Sequence, residues 1–273
     1  MKAETEFKQV LTLFPVVLFG LAYMVPMTVF TTYGIVSQLT LGMLPAAYIA
    51  TLLTMLFTAY SYGRMVKAFP YTGSAYTYAQ KSLNSHVGFF TGWILLLDYL
   101  FLPMINYLVI GIYLNAEFPS VPNWVWVILA ILIVTFINIR GIKVVTNVNF
   151  FLIAFQIIVI AFFLVLSVKT ILSGGGTGTL FSTLPFFNPE GSPSLVFAGA
   201  AILCLSFLGF DAVTTLSEET VNAKKNIPKA IFLVTIIGGI LFIIVSYIGQ
   251  MVYPDYMSFE DPDSAPLQIA VFI

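Results

Sequence analysis

Charge is what this sequence has least of. Asp, Glu, Lys and Arg make up 8% of its 273 residues, against about 25% in a water-soluble domain. Aqueous surface is therefore scarce. No charged residue occurs from Gln9 to Gly63, a run of 55, and further gaps run from Phe118 to Ile139, Val144 to Val168 and Ala230 to Pro254. The net charge of −1 argues against a nucleic-acid partner, because phosphate neutralisation requires clustered Lys and Arg. A single cysteine, Cys204, excludes a disulfide framework and a thiolate metal cluster. There is no Gly-Lys-Ser/Thr phosphate loop, so nothing in this stretch handles ATP. The one histidine, His86, is poor evidence for a metal. No Ser–His or Cys–His arrangement recommends an enzyme, and no cofactor is expected.

What is present is hydrocarbon. Apolar residues reach 59% and the mean hydropathy is +0.99. About 20 apolar residues cross a bilayer as a helix, so the 55-residue gap holds two spans and the chain is polytopic. Its first apolar stretch is too long, and too closely followed by another, to be a cleaved signal peptide. The pattern predicts seven helices, at about 11–38, 44–63, 88–113, 124–139, 147–168, 195–219 and 229–252. Gly42, Phe69-Pro70, Pro119, Pro122-Asn123, Gly141 and Pro228 punctuate the joints. Residues 70–86 suit an interfacial helix, and Lys169 to Ser194, with its Gly-rich centre, reads as an exposed loop.

Basic residues stay on the cytoplasmic side of short loops. Lys2, Lys8, Arg64, Lys67, Lys81, Arg140, Lys143, Lys224, Lys225 and Lys229 fall on one side of the seven-helix map, and Lys169 alone on the other. This predicts a cytoplasmic N-terminus. The chain closes on an apolar run, 265–273, that reads as the start of an eighth helix. The whole of 1–273 is thus expected to be one transmembrane domain, truncated after about seven transmembrane helices.

Two acids fall well inside predicted spans, Asp98 and Asp211. A carboxylate at that depth costs on the order of 2.5–3.5 kcal/mol even on the lenient scale, so it faces a cavity or a partner, or takes up a proton. The alternative for Asp98 is a buried acid tied to neighbouring hydroxyls. Tyr99 adds an aromatic face that attracts ammonium groups, or simply packs. Pro103 and Asn106 suggest a bend or local opening in the same helix. The first helix carries Gly20, Pro26, Met27, Thr28 and Gly34; the sixth carries Ser206, Gly209, Phe210 and Asp211. Helices interrupted in two halves point to a transporter site at the bilayer midplane. A plain proline kink with a glycine contact is the competing reading. Glu218 and Glu219 are expected to be solvated or paired with Lys224 or Lys225, and Cys204 to pack.

The run Phe207-Leu208-Gly209-Phe210-Asp211-Ala212, then Glu218-Glu219-Thr220, then Asn226-Ile227-Pro228-Lys229-Ala230-Ile231, resembles the sixth-helix signature of the amino acid–polyamine–organocation permeases. Phe69-Pro70 with Gly73-Ser74-Ala75-Tyr76-Thr77-Tyr78 looks like that family's segment after helix two. Pro26 to Phe30, Tyr76 to Ser82 and Leu97 to Asn106 are similar to its putrescine-importing members in bacteria. The resemblance implies an all-α integral membrane protein with the five-plus-five inverted-repeat, LeuT-like fold. Helices one to five (about 11–168) form the first repeat; helices six and seven (about 195–252) begin the second. It implies proton symport of putrescine or a related small amine across the cytoplasmic membrane. It also places Pro26, Met27 and Thr28 where helix one unwinds, with Gly209, Phe210 and Asp211 in helix six and Asp98 and Tyr99 in helix three as the other binding residues. Most members have a Gly-Ser-Gly type segment in place of Pro26-Met27-Thr28, and that departure weakens an amino-acid carboxylate site. The expected partners are the amine and the lipid bilayer, with the proton as coupling ion. Alternatives are an amino-acid permease of the same superfamily and, from another class, a seven-helix receptor.

Overall fold

The computed structural model describes residues 9–140 and 142–273, over 142–147 by backbone alone. Lys2, Lys8 and the expected joint at Gly141 lie outside the described residues, as does the side chain of Lys143. Among the described residues the regular structure is helical, with one isolated parallel bridge between Leu11 and Thr220. Six segments are long and apolar enough to cross a membrane: Leu13–Thr31, Leu44–Ala68, Ser85–Glu117, Val148–Leu172, Pro193–Leu216 and Ala223–Val252. The expected fourth helix forms as Asn123–Ile139, but its 17 residues reach only about 25 Å, short of a ~30 Å core.

The first predicted helix is three pieces: α1 (Leu13–Tyr23), α2 (Thr28–Thr31) and α3 (Tyr33–Leu39). Next come α4 (Leu44–Ala68), the short α5 (Ser74–Ser82) in the expected interfacial segment, and α6 (Ser85–Glu117). Helix α6 runs unbroken through Pro103, so the expected opening there is absent. A proline removes one donor, and the other bonds of a 33-residue helix hold it together. Then follow α7 (Asn123–Ile139), α8 (Ile142–Leu172) and α9 (Pro193–Leu203). The sixth predicted helix is α-helical only as far as Leu203. It continues as 3₁₀ turns over Cys204–Phe207 and Phe210–Leu216. Helix α10 (Ala223–Val252) starts before Pro228 rather than after it. The carbonyl opposed by that ring belongs to Lys224, in the first turn, where few helical bonds are at stake. Helix α11 (Ala265–Phe272) forms in the closing apolar run.

The chain divides into two compact units. The first comprises 9–25, 48–97 and 203–241 among the described residues. Its core is built on Val16, Phe207, Val213, Ile227, Ile231 and Val234, all fully buried. Gly20 permits a close contact within it, because a Cβ there would stand 2.6 Å from methyl carbons of both Val213 and Val234. The second comprises 26–47, 98–202 and 242–273, with Tyr33, Leu44, Ile171, Phe242 and Met251 fully buried. Within it the 173–192 connection is pinned at several points: Thr177 N–H donates to the Met251 carbonyl at 3.0 Å, Tyr247 Oη to the Leu180 carbonyl at 3.0 Å, and Asn188 Nδ2 to the Leu41 carbonyl at 2.7 Å.

Candidate functional site

Gly209, Phe210 and Asp211 lie in the first unit; Pro26, Met27, Thr28, Asp98 and Tyr99 lie in the second. In the first unit the interruption of the sixth span turns on Gly209, at φ 97. A Cβ there would meet the Tyr23 carbonyl oxygen at 2.8 Å, so both the left-handed backbone and the close approach require glycine. The turn presents Asp211 early in the second 3₁₀ segment, where Ser74 Oγ donates to its Oδ2 at 2.9 Å. Ser74 reaches it from a backbone at φ 49 that follows Gly73 at φ 115. Thr72 adds a second clasp, donating its amide and hydroxyl to Glu218 Oε1 at 3.3 and 3.2 Å. Glu218 stays partly exposed, as one expected alternative had it, and the turn before α5 also holds it.

Phe210 is 5% exposed and meets Tyr62 edge-on at 5.5 Å, and Tyr62 meets Tyr78 edge-on at 5.8 Å. The Tyr78 hydroxyl is buried without a hydrogen-bond partner, although Thr214 and Asp211 both act on it. Burial first of all, opposed by the Thr214 hydroxyl and aided by the Asp211 charge, pushes its phenol up to about 12. The Thr214 hydroxyl is itself committed to the Asp211 carbonyl at 2.7 Å. A carboxylate, a serine hydroxyl and a buried phenol thus share one small aromatic-walled region.

In the second unit the first span restarts after its interruption. The preceding α1 ends at Tyr23, and Val25 sits at φ 50, a conformation seldom adopted by a β-branched residue. Beyond it, Pro26 brings no donor and Met27 donates its amide to Gln156 Oε1 at 3.4 Å. Thr28 opens α2 and accepts at its carbonyl from Thr31 Oγ1 at 2.8 Å. Tyr113 Oη donates to the Phe30 carbonyl at 2.9 Å. A side-chain amide and a phenol therefore serve backbone groups of the reopened helix. Asp98 lies mid-way along α6, partly exposed. Tyr99 is 50% exposed.

Sequence reasoning did not single out Ser74, Tyr78, Gln156 or Val25 as site residues. Gln156 carried a signal, as the one polar side chain between Asn149 and Ser167. Ser74 and Tyr78 carried none of their own, because the contact of Ser74 with Asp211 joins positions 137 apart.

Comparison with known proteins follows the same lines. The chain is 47% identical over 271 residues to the low-affinity putrescine importer PlaP of Escherichia coli (strain K12), covering 99% of this chain and 60% of that protein. It is 27% identical to the branched-chain amino acid permease BcaP of Bacillus subtilis (strain 168), over 98% of this chain and 60% of that protein. It is 28% identical to the chloroplastic cationic amino acid transporter 6 of Arabidopsis thaliana, over 90% and 45% respectively. The chain therefore spans about three-fifths or less of the length of these relatives. Residues 15–272 match the amino acid permease family, which fits the LeuT-like fold, in keeping with the helices of the described residues. The protein belongs to the amino acid permease family.

Proposed function

We propose that the full-length protein is a secondary active transporter that imports putrescine or a related small amine by proton symport. The observation that carries this reading is Asp211, presented from a glycine turn in mid-span with Ser74 Oγ on one oxygen. A carboxylate held so in a water-poor setting binds an alkylammonium by a charge-assisted hydrogen bond, and takes a proton when the amine leaves. Phe210 and Tyr62 supply aromatic edges and faces beside it, and Tyr78 a buried phenol. Asp98 and Tyr99, on α6 in the second unit, are further amine-binding residues in this reading, supported by the similarity to a putrescine importer. Gly209, Pro26, Met27 and Thr28 complete the binding set as the backbone openings. The similarity to a putrescine importer supports the cargo.

The protein sits in the cytoplasmic membrane with its N-terminus inside. Ten of the eleven basic residues share that side when seven helices cross, which supports this orientation. The 17-residue α7 crosses with modest local thinning of the bilayer. Helices α1 to α8 form the first repeat, and α9 with α10 begins the second. Membership of a permease family, rather than helix number, decides against a receptor.

The test is uptake of radiolabelled putrescine into vesicles holding the full-length protein, with and without an inward proton gradient. Saturable uptake that collapses with the gradient, and that amino acids do not compete away, is expected. Uptake indifferent to the gradient would refute the coupling, and stronger competition by amino acids than by diamines would refute the cargo.

A further inference from the structure

Within the first unit, the end of α4 and the start of α10 enclose a groove of about 490 Å³ that has no role in the site described above. Its lining is divided along the helix axes. Arg64 and Lys67 stand in the last turns of α4, and Lys229 in the second turn of α10, all three exposed. One turn deeper the walls are Tyr60, Phe232 and Leu233, 61%, 41% and 38% exposed. No acid lines the groove among the described residues. Its floor is shaped by Gly63, buried, where an added Cβ would lie 3.2 Å from Pro228 Cβ. The two helices therefore approach closely enough to leave three cations around one mouth and an apolar slot beneath it.

We propose that this groove binds an anionic phospholipid, with Arg64, Lys67 and Lys229 on the headgroup phosphate and one acyl chain against Tyr60, Phe232 and Leu233. The charge complementarity selects the occupant. Three cations at the ends of membrane-length helices, with no acid in the lining, match the depth of lipid phosphates, and an apolar slot continuing inward matches a chain. A soluble anion would use the cations and leave the apolar wall wet. A protein segment would need to bring its own acids to that depth.

The test is native mass spectrometry and thermal unfolding of the full-length protein in detergent, titrated with phosphatidylglycerol, phosphatidylcholine of the same chains, or inorganic phosphate. Phosphatidylglycerol alone should remain bound and raise Tm. The Arg64→Gln/Lys67→Gln/Lys229→Gln variant should bind it about a hundredfold more weakly, at roughly fivefold per basic residue, while Arg64→Lys/Lys67→Arg/Lys229→Arg keeps it. Equal retention of phosphatidylcholine, an equal effect of phosphate, or undiminished binding by the glutamine variant would overturn the proposal. Should the glutamine variant not fold, retention of phosphatidylglycerol over phosphatidylcholine by the wild type decides, with Leu233→Glu as the second variant expected to lose the lipid.

Discussion

The two interruptions differ in how they are built. At the sixth span the chain uses glycine: Gly209 takes φ 97 without a Cβ to strain, and its place against the Tyr23 carbonyl admits nothing larger. At the first span it uses a valine at φ 50 followed by a proline, and a glutamine side chain meets the next amide. The first kind of break is intrinsically relaxed and carries a carboxylate. The second stores backbone strain, on the order of 1–2 kcal/mol for an L-residue in the left-handed region, and carries no charge. A segment with neither glycine nor serine offers fewer close-approach amides to a substrate carboxylate, whereas Asp211 offers a charge to an amine.

Substitutions should separate the two breaks. The largest effect is expected at Gly209→Ala. Left-handed strain and a 2.8 Å approach to a backbone oxygen together should lower stability by about 3 kcal/mol, read as a lower Tm and reduced folded yield. Next is Gln156→Leu, which leaves the Met27 amide without its 3.4 Å acceptor. A loss of about 1 kcal/mol is expected, measurable by denaturant titration in detergent. Val25→Gly should act in the opposite direction. Relief of strain exceeds the added chain entropy by a few tenths of a kcal/mol up to about 1, so Tm should hold or rise. If Val25→Gly and Gly209→Ala destabilise alike, the contrast between the breaks is wrong.

The smallest effect is confined to alkaline pH. Tyr78 holds its proton up to about 12 when folded, against an ordinary 10. The folded state therefore binds the proton more tightly than the unfolded one. Its contribution is fully present below pH 10 and is lost as pH rises through about 12. Tyr78→Phe should flatten the fall in stability across that window and leave neutral pH nearly unchanged, as read by pH-dependent unfolding.

Much of the membrane architecture is legible in the sequence because hydrocarbon thickness is written into the length of charge-free runs. Six of the seven expected spans reach that length, and the sixth span turns at Gly209, where residue type alone points. What stays hidden has physical reasons. Replacing α-helix by 3₁₀ after Leu203 depends on packing, which no local propensity encodes. The opening expected at Pro103 does not form because a long helix tolerates one missing donor. Ser74 and Tyr78 reach Asp211 through a fold that joins distant positions, and Val25 announces its left-handed backbone in no way, since valine is among the last residues expected there.

The central claim is that Asp211, set in the glycine-built break, anchors the amine. The direct measurement is equilibrium binding of radiolabelled putrescine to the purified full-length protein, wild type against Asp211→Asn. Affinity should fall tenfold to hundredfold, on the order of one charge-assisted hydrogen bond, with Tm little changed. Unaltered affinity in a folded Asp211→Asn protein would contradict it.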